Sequence, residues 1–205
     1  MANKLDLLYP TLRELVLELR VGDTGFLPDR LQKLDNLRNY VEDKGDEPVA
    51  LNFICTHNSR RSHLGMIWGA VASWLAGRDN VATFSGGTEA TALNPRMVAA
   101  LRRAGFHIDD PGGENPRYLI SFSDEAPPLL CFSKRYDDPA NDAEVFAAIM
   151  TCDHADENCP LIHGADLRLP LTYEDPKSAD DTPEEEARYD ERLRQIGSEL
   201  LFALG

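Results

Sequence analysis

Apolar positions along the chain follow two periods. Leu5, Leu8, Leu12, Leu15 and Leu19 recur every three or four residues, and Leu27, Leu31, Leu34, Leu37 and Val41 repeat the spacing. Each series predicts a helix with one apolar face, the first starting near Pro10, with a glycine-containing turn at VGDTG between them. From residue 49 the pattern changes. VALNFI (49–54) is a short continuous apolar run, as a strand buried on both faces requires. SHLGMIWGAVASWLAG (62–77) is helical in period, VATFSGG (81–87) reads as a second strand ending in glycines, and NPRMVAALRRAGF (94–106) as a helix capped by Asn94. YLISFS (118–123) and LLCFSK (129–134) flank a Pro-Pro turn and predict a hairpin. EVFAAIM (144–150) and ADLRLPL (165–171) predict the third and fourth core strands, and residues 182–204 a closing helix with Thr182 as its cap. Alternation of strand and helix predicts an α/β fold: a three-layer, doubly wound, four-stranded parallel sheet. Residues 1–45 are expected to form a helical extension packing on a core domain spanning 46–205, with KGDEP (44–48) as the linker.

Composition narrows the function. The chain of 205 residues carries 35 acidic against 21 basic side chains, a formal charge of −14. Such a surface repels phosphate backbones, so no nucleic-acid partner is predicted, and any anion site must be locally positive. No apolar run is long enough to span a membrane, and the N-terminal leucines are interleaved with charges rather than joined in a leader. The expected compartment is the cytoplasm. Four cysteines, Cys55, Cys131, Cys152 and Cys159, then point to catalytic, redox or metal roles rather than to a static disulfide framework. Cys131, inside LLCFS, reads as packed core.

The candidate chemistry begins where the first strand ends. CTHNSRRS (55–62) sets a cysteine on a loop between a strand and a helix. Inward-pointing N–H groups and a helix N-terminus make such a loop an anion site and favour a thiolate at its floor. Arg61, with a planar fork, can hold two oxygens of a tetrahedral oxyanion, Ser62 can bond the Cys55 sulfur, and Asn58 tolerates a left-handed backbone. Thr56, His57, Asn58, Ser59, Arg60, Arg61 and Ser62 are therefore the expected oxyanion-binding loop, with Cys55 as nucleophile.

CTHNSRRS resembles the loop of the low-molecular-weight protein tyrosine phosphatase superfamily, Cys-x2-Asn-x2-Arg-Ser, at Cys55, Asn58, Arg61 and Ser62. The resemblance runs from about residue 49 to the C-terminus. His57 stands where the family often has glycine, and Arg60 where many members carry a second cysteine. In the phosphatases an Asp-Pro after the last strand protonates the leaving group, which the resemblance implies for Asp175-Pro176; the other reading is one acid among many in an acidic loop.

CDHADENCP (152–160) resembles the corresponding segment of the thioredoxin-coupled arsenate reductases, which share that fold. What this implies is a relay. The Cys55 thiolate attacks arsenate, Cys152 attacks Cys55 and releases arsenite, Cys159 draws the disulfide onto the Cys152–Cys159 pair, and thioredoxin reduces that pair. The polar run between the two cysteines suits a mobile segment. Alternatives are zinc on Cys152, Cys159, His154 and His163, inert thiols, or a phosphatase that hydrolyses a phosphoester through phosphocysteine. Some of these reductases bind potassium with the loop asparagine and an acid on the next helix; Met66 stands at that helix position, and no metal and no cofactor is predicted. His57 is open between touching the anion and lying at the surface, His63 is expected at the surface, His107 in a loop, and Trp68 and Trp74 in packing roles.

Overall fold

The computed structural model describes residues 3–21, 25–158 and 161–205. In chain order the elements are α1 (Pro10–Val21), α2 (Pro28–Asp43), β1 (Val49–Cys55), α3 (Arg61–Leu75), β2 (Val81–Gly87), α4 (Pro95–Arg103), β3 (His107–Asp109), β4 (Tyr118–Ser121), β5 (Leu129–Cys131), β6 (Phe146–Met150), α5 (Asp153–Asn158), β7 (Ala165–Pro170) and α6 (Glu185–Leu204), with short 3-10 turns at Lys4–Leu7 and Pro176–Ala179. The main sheet is parallel in the order β2-β1-β6-β7. Its central strands β1 and β6 are buried almost throughout, as the unbroken apolar runs require. The expected α/β architecture with a four-stranded parallel sheet is present.

Glycines set how closely the layers approach. A Cβ at Gly65 of α3 would lie 2.3 Å from the Phe53 ring of β1, and one at Gly197 of α6 would lie 2.7 Å from the Trp68 ring. Trp68 is fully buried and meets Phe106 edge-on at 5.7 Å. Trp74 packs edge-on against Phe122. The apolar faces of α1 and α2 (Leu12, Leu15, Val16, Leu34, Leu37, Val41) enter the same core as Leu200 and Leu204 of α6.

Several expectations need correction. Leu5 lies in a 3-10 turn and Leu8 bridges to Ser123, so the first helix owns only the later part of its leucine stripe. Leu27 and Leu31 are exposed, because α2 turns its core face toward Leu34, Leu37 and Val41. The expected turn at VGDTG falls largely on residues 22–24, outside the described residues. His107 belongs to β3, which adds a third strand to the expected hairpin in the order β3-β4-β5. Thr182 is not the cap of the closing helix. Its hydroxyl donates to the Ala179 carbonyl at the end of the 3-10 turn, and α6 starts three residues later. The polar run after Cys152 folds as the helix α5.

Candidate active site

Cys55 ends β1 and sits 4% exposed; α3 begins at Arg61. Between them every loop carbonyl is held by the surrounding scaffold. The Cys55 carbonyl accepts from Thr88 N, Thr56 from Glu89 N and the Thr88 hydroxyl, His57 from the Ser133 and Thr91 hydroxyls, and Ser59 from Asn94 N. In a trans peptide the N–H points away from its carbonyl, so carbonyls tied outward leave the N–H groups facing the concave side. That is the arrangement an anion cradle needs.

Asn58 fixes the middle of the loop. Its φ of +45° is left-handed, which asparagine tolerates better than most residues. Its amide donates to Ser62 Oγ at 2.8 Å and accepts from Lys134 N at 2.9 Å. Ser62 Oγ in turn stands 3.1 Å from Cys55 Sγ. His63, expected at the surface, is fully buried: Nε2 meets the Asn58 carbonyl at 3.0 Å and Nδ1 the Ser85 hydroxyl at 3.2 Å. These partners assign a neutral ring with its proton on Nε2. Burial, helped by the nearby Lys134 ammonium, pushes its pKa down to about 3. Gly87 allows β2 to pass close to the loop. A side chain there would start 2.7 Å from the Thr56 carbonyl and 2.8 Å from Asn58 N.

The mouth of the cradle is a small polar cleft lined by Cys55, His57, Ser59, Arg60, Arg61 and Asp175. Arg61 donates to the Tyr173 carbonyl at 2.9 Å and to Asp175 Oδ2 at 2.7 Å, while its buried Nε has no hydrogen-bond partner among the described residues. A buried guanidinium N–H without an acceptor costs free energy unless an anion fills the place, as an oxyanion over Cys55 would. Tyr173 N bonds the Thr151 carbonyl, which ties the chain carrying Asp175 to the end of β6. Asp175 caps the following 3-10 turn through Lys177 N. Arg60 turns aside to the Tyr189 hydroxyl at 2.8 Å and to Asp180 at 3.4 Å. His57 is half exposed, 3.7 Å from Glu89.

Cys152 enters from the neighbouring strand. Ile54 of β1 is in register with Met150 of β6, and both the amide and hydroxyl of Thr151 bond the Ile54 carbonyl. The parallel pairing thus carries Cys55 and Cys152 to the same edge of the sheet. Both belong to one buried cluster with Ile54, Met150 and Ala155. Cys152 is 1% exposed; its sulfur is 3.5 Å from the Thr56 hydroxyl and accepts from Ala155 N at 3.4 Å. Cys159 lies outside the described residues. Cys131 is fully buried away from this edge in β5, and burial pushes its thiol pKa up to about 12. No group of metal-ligating side chains occurs among the described residues.

Sequence reasoning singled out the residues of the loop and the cleft but not their supports. Lys134, Ser133 and Thr91 sit in segments whose only visible signal is strand or turn. Tyr189 looks like an ordinary helical aromatic. Their partners are set by the tertiary fold, so local pattern carries no trace of them.

No protein-family model matches the chain. Among solved structures, a low-molecular-weight phosphotyrosine phosphatase from Vibrio cholerae O395 superposes with a TM-score of 0.50 at 18% identity, covering 76% of this chain and 94% of that one. The two share a fold. Among curated proteins, an arsenate reductase of Bacillus licheniformis is 30% identical over 149 residues, 72% of this chain and 89% of that protein. The arsenate reductase of Bacillus subtilis is 28% identical over 155 residues, 75% of this chain and 94% of that protein. The chain belongs to the arsenate reductase family.

Proposed function

We propose that the protein reduces arsenate to arsenite in the cytoplasm, with thioredoxin as reductant, through Cys55, Cys152 and Cys159. The observation that carries this reading is the placement of Cys152 at the end of β6, joined to the Cys55 loop through the Thr56 hydroxyl. A hydrolase needs only the first cysteine; a second buried thiol beside it suits a reductase. The loop N–H groups and Arg61 hold the oxyanion over Cys55. Attack by the Cys55 thiolate forms a sulfur–arsenic bond and expels an arsenate oxygen, which leaves as water once protonated. Asp175, in contact with Arg61 at the cleft mouth, is placed to give that proton. Cys152 then attacks Cys55 Sγ. A disulfide forms, the sulfur–arsenic pair of electrons stays with arsenic, and arsenite departs. Cys159 moves the disulfide outward, and a dithiol of the thioredoxin type reduces it.

The carboxylate at the cleft also favours a second reading, hydrolysis of phosphotyrosine through phosphocysteine with Asp175 protonating the phenolate. One set of assays separates the two. Arsenite formation is followed with thioredoxin, thioredoxin reductase and NADPH on the native protein, Cys152→Ser and Cys159→Ser, with phosphoester hydrolysis on the same samples. Multiple turnover of arsenate that either substitution abolishes, while hydrolysis persists, is the expected result. Hydrolysis indifferent to both, with no arsenate turnover, replaces the first reading by the second.

A further inference from the structure

The second thiol has a proton to lose before it can attack, and the chain at its side carries a base. His154, in the first turn of α5, places Nδ1 3.2 Å from Thr56 Oγ1, and the same oxygen stands 3.5 Å from Cys152 Sγ. Thiol, hydroxyl and imidazole form a line running from the buried sulfur to an exposed ring. A threonine hydroxyl can donate and accept at once, so a proton can enter it from one side while another leaves on the opposite side. We propose that His154 is a positioning residue for the second thiol, taking up through the Thr56 hydroxyl the proton that Cys152 must shed. The proposal deepens the arsenate reading and rests on it for its place in the reaction.

The step balances as follows. The Cys152 S–H proton passes to Thr56 Oγ1 as the Thr56 hydroxyl proton passes to Nδ1 of a ring protonated on Nε2. The sulfur is left as thiolate, with the Ala155 N–H pointed at it. It forms the S–S bond to Cys55 while the Cys55 S–As bond breaks. Both sulfurs are oxidised and arsenic falls from the +5 to the +3 state. The imidazolium releases its proton to water at the exposed face. The charged groups carried around this line are Asp153, Asp156 and Glu157 on α5 itself, Arg168 of β7 paired with Asp156 at 2.6 Å, and on the loop side Cys55 and the His57–Glu89 pair. Arg168 takes up the charge of Asp156.

The test compares the full-length native protein with His154→Gln, which keeps a hydrogen-bond acceptor but cannot take a proton, and with Thr56→Ala and Thr56→Ser. Formation of the Cys55–Cys152 bond after a single addition of arsenate is followed by quenching and mass spectrometry across a pH series. In parallel, modification of Cys152 by a small haloacetamide is measured without arsenate. Near neutral pH the His154→Gln and Thr56→Ala proteins are expected to form the bond roughly 100-fold more slowly, the lower end of general-base effects. Thr56→Ser is expected to recover most of the rate. At alkaline pH, where hydroxide removes the thiol proton, the Gln variant should rejoin the native rate, which a merely structural defect would not do. Equal behaviour of native and Gln proteins in both measurements, or a deficit that alkali does not recover, overturns the proposal. If arsenate produces no Cys55–Cys152 bond in any of them while Cys152 modification still separates native from Gln, the arsenate reading fails and the proton line stands.

Discussion

At the scale of single residues, the site depends on a buried imidazole that must remain uncharged. His63 holds the Asn58 carbonyl with one nitrogen and the Ser85 hydroxyl with the other, with the Lys134 ammonium close by. Its folded pKa of about 3 lies below the ordinary 6.5. Between those values the unfolded chain binds a proton that the native protein refuses, so stability falls as pH falls through that window. One such proton contributes a slope of up to about 1.4 kcal/mol per pH unit. His63→Gln keeps a donor and an acceptor but does not titrate. The stability advantage of the native protein over the Gln variant should therefore shrink on acidification from pH 7 toward pH 4, as read from urea midpoints. An advantage that is constant or grows with acid would contradict the neutral, buried assignment. His63, eight residues beyond Cys55, is a fixed neutral strut, whereas His154, two residues beyond Cys152, is the proposed base.

At the scale of elements, helix α3 must reach the sheet closely enough for its N-terminus to close the loop. Gly65 makes that possible where it faces Phe53. Gly65→Ala would put a methyl group into the ring's space and should destabilise the protein by about 1–3 kcal/mol, as overpacked cores do. Phe53→Leu should recover part of the loss, giving a coupling free energy in a double-mutant cycle of denaturation midpoints. Additive effects would mean that the ring moves aside freely. The helix and strands at this junction were legible in the sequence because buried parallel strands read as unbroken apolar runs and α3 has a clear helical period. The cysteine loop was legible because its chemistry is concentrated in eight consecutive residues. What stayed hidden depends on distant chain. His63 looks like a surface residue until Ser85 and Asn58 close around it. The hairpin gained its third strand through His107 because edge pairing has no local signature. Thr182 was a good cap by type, yet its hydroxyl bonds Ala179 and Glu184 in the turn ahead of the helix, which starts only at Glu185.

At the scale of the whole molecule, the N-terminal helices bear on the site as well as on the core. Arg30 of α2 grips Glu199 of α6 with two hydrogen bonds, at 2.9 and 2.6 Å, and donates to the Thr172 carbonyl at 3.0 Å. Its guanidinium also lies over the Tyr173 ring at 4.5 Å. Thr172 and Tyr173 lead directly to Asp175, and the Tyr173 carbonyl holds Arg61. Glu199 is 2% exposed, so losing Arg30 strands a carboxylate in the interior. Breaking one side of such a pair costs about 3–5 kcal/mol, whereas replacing both sides by apolar groups is often neutral. Arg30→Gln should therefore lower the urea midpoint sharply, and Arg30→Met with Glu199→Leu should restore most of it. A chain reduced to residues 46–205 should fare worse than either, because Leu200 and Leu204 of α6 lose the apolar cover of Leu12, Val16, Leu34 and Leu37 as well as the ion pair. If that shortened chain instead unfolds cooperatively at the native midpoint, the helices are an appendage with no share in the core. If Arg30→Met with Glu199→Leu regains stability but not turnover, the contact of Arg30 with Thr172 and Tyr173 matters to the placing of Arg61 and Asp175 beyond its part in stability.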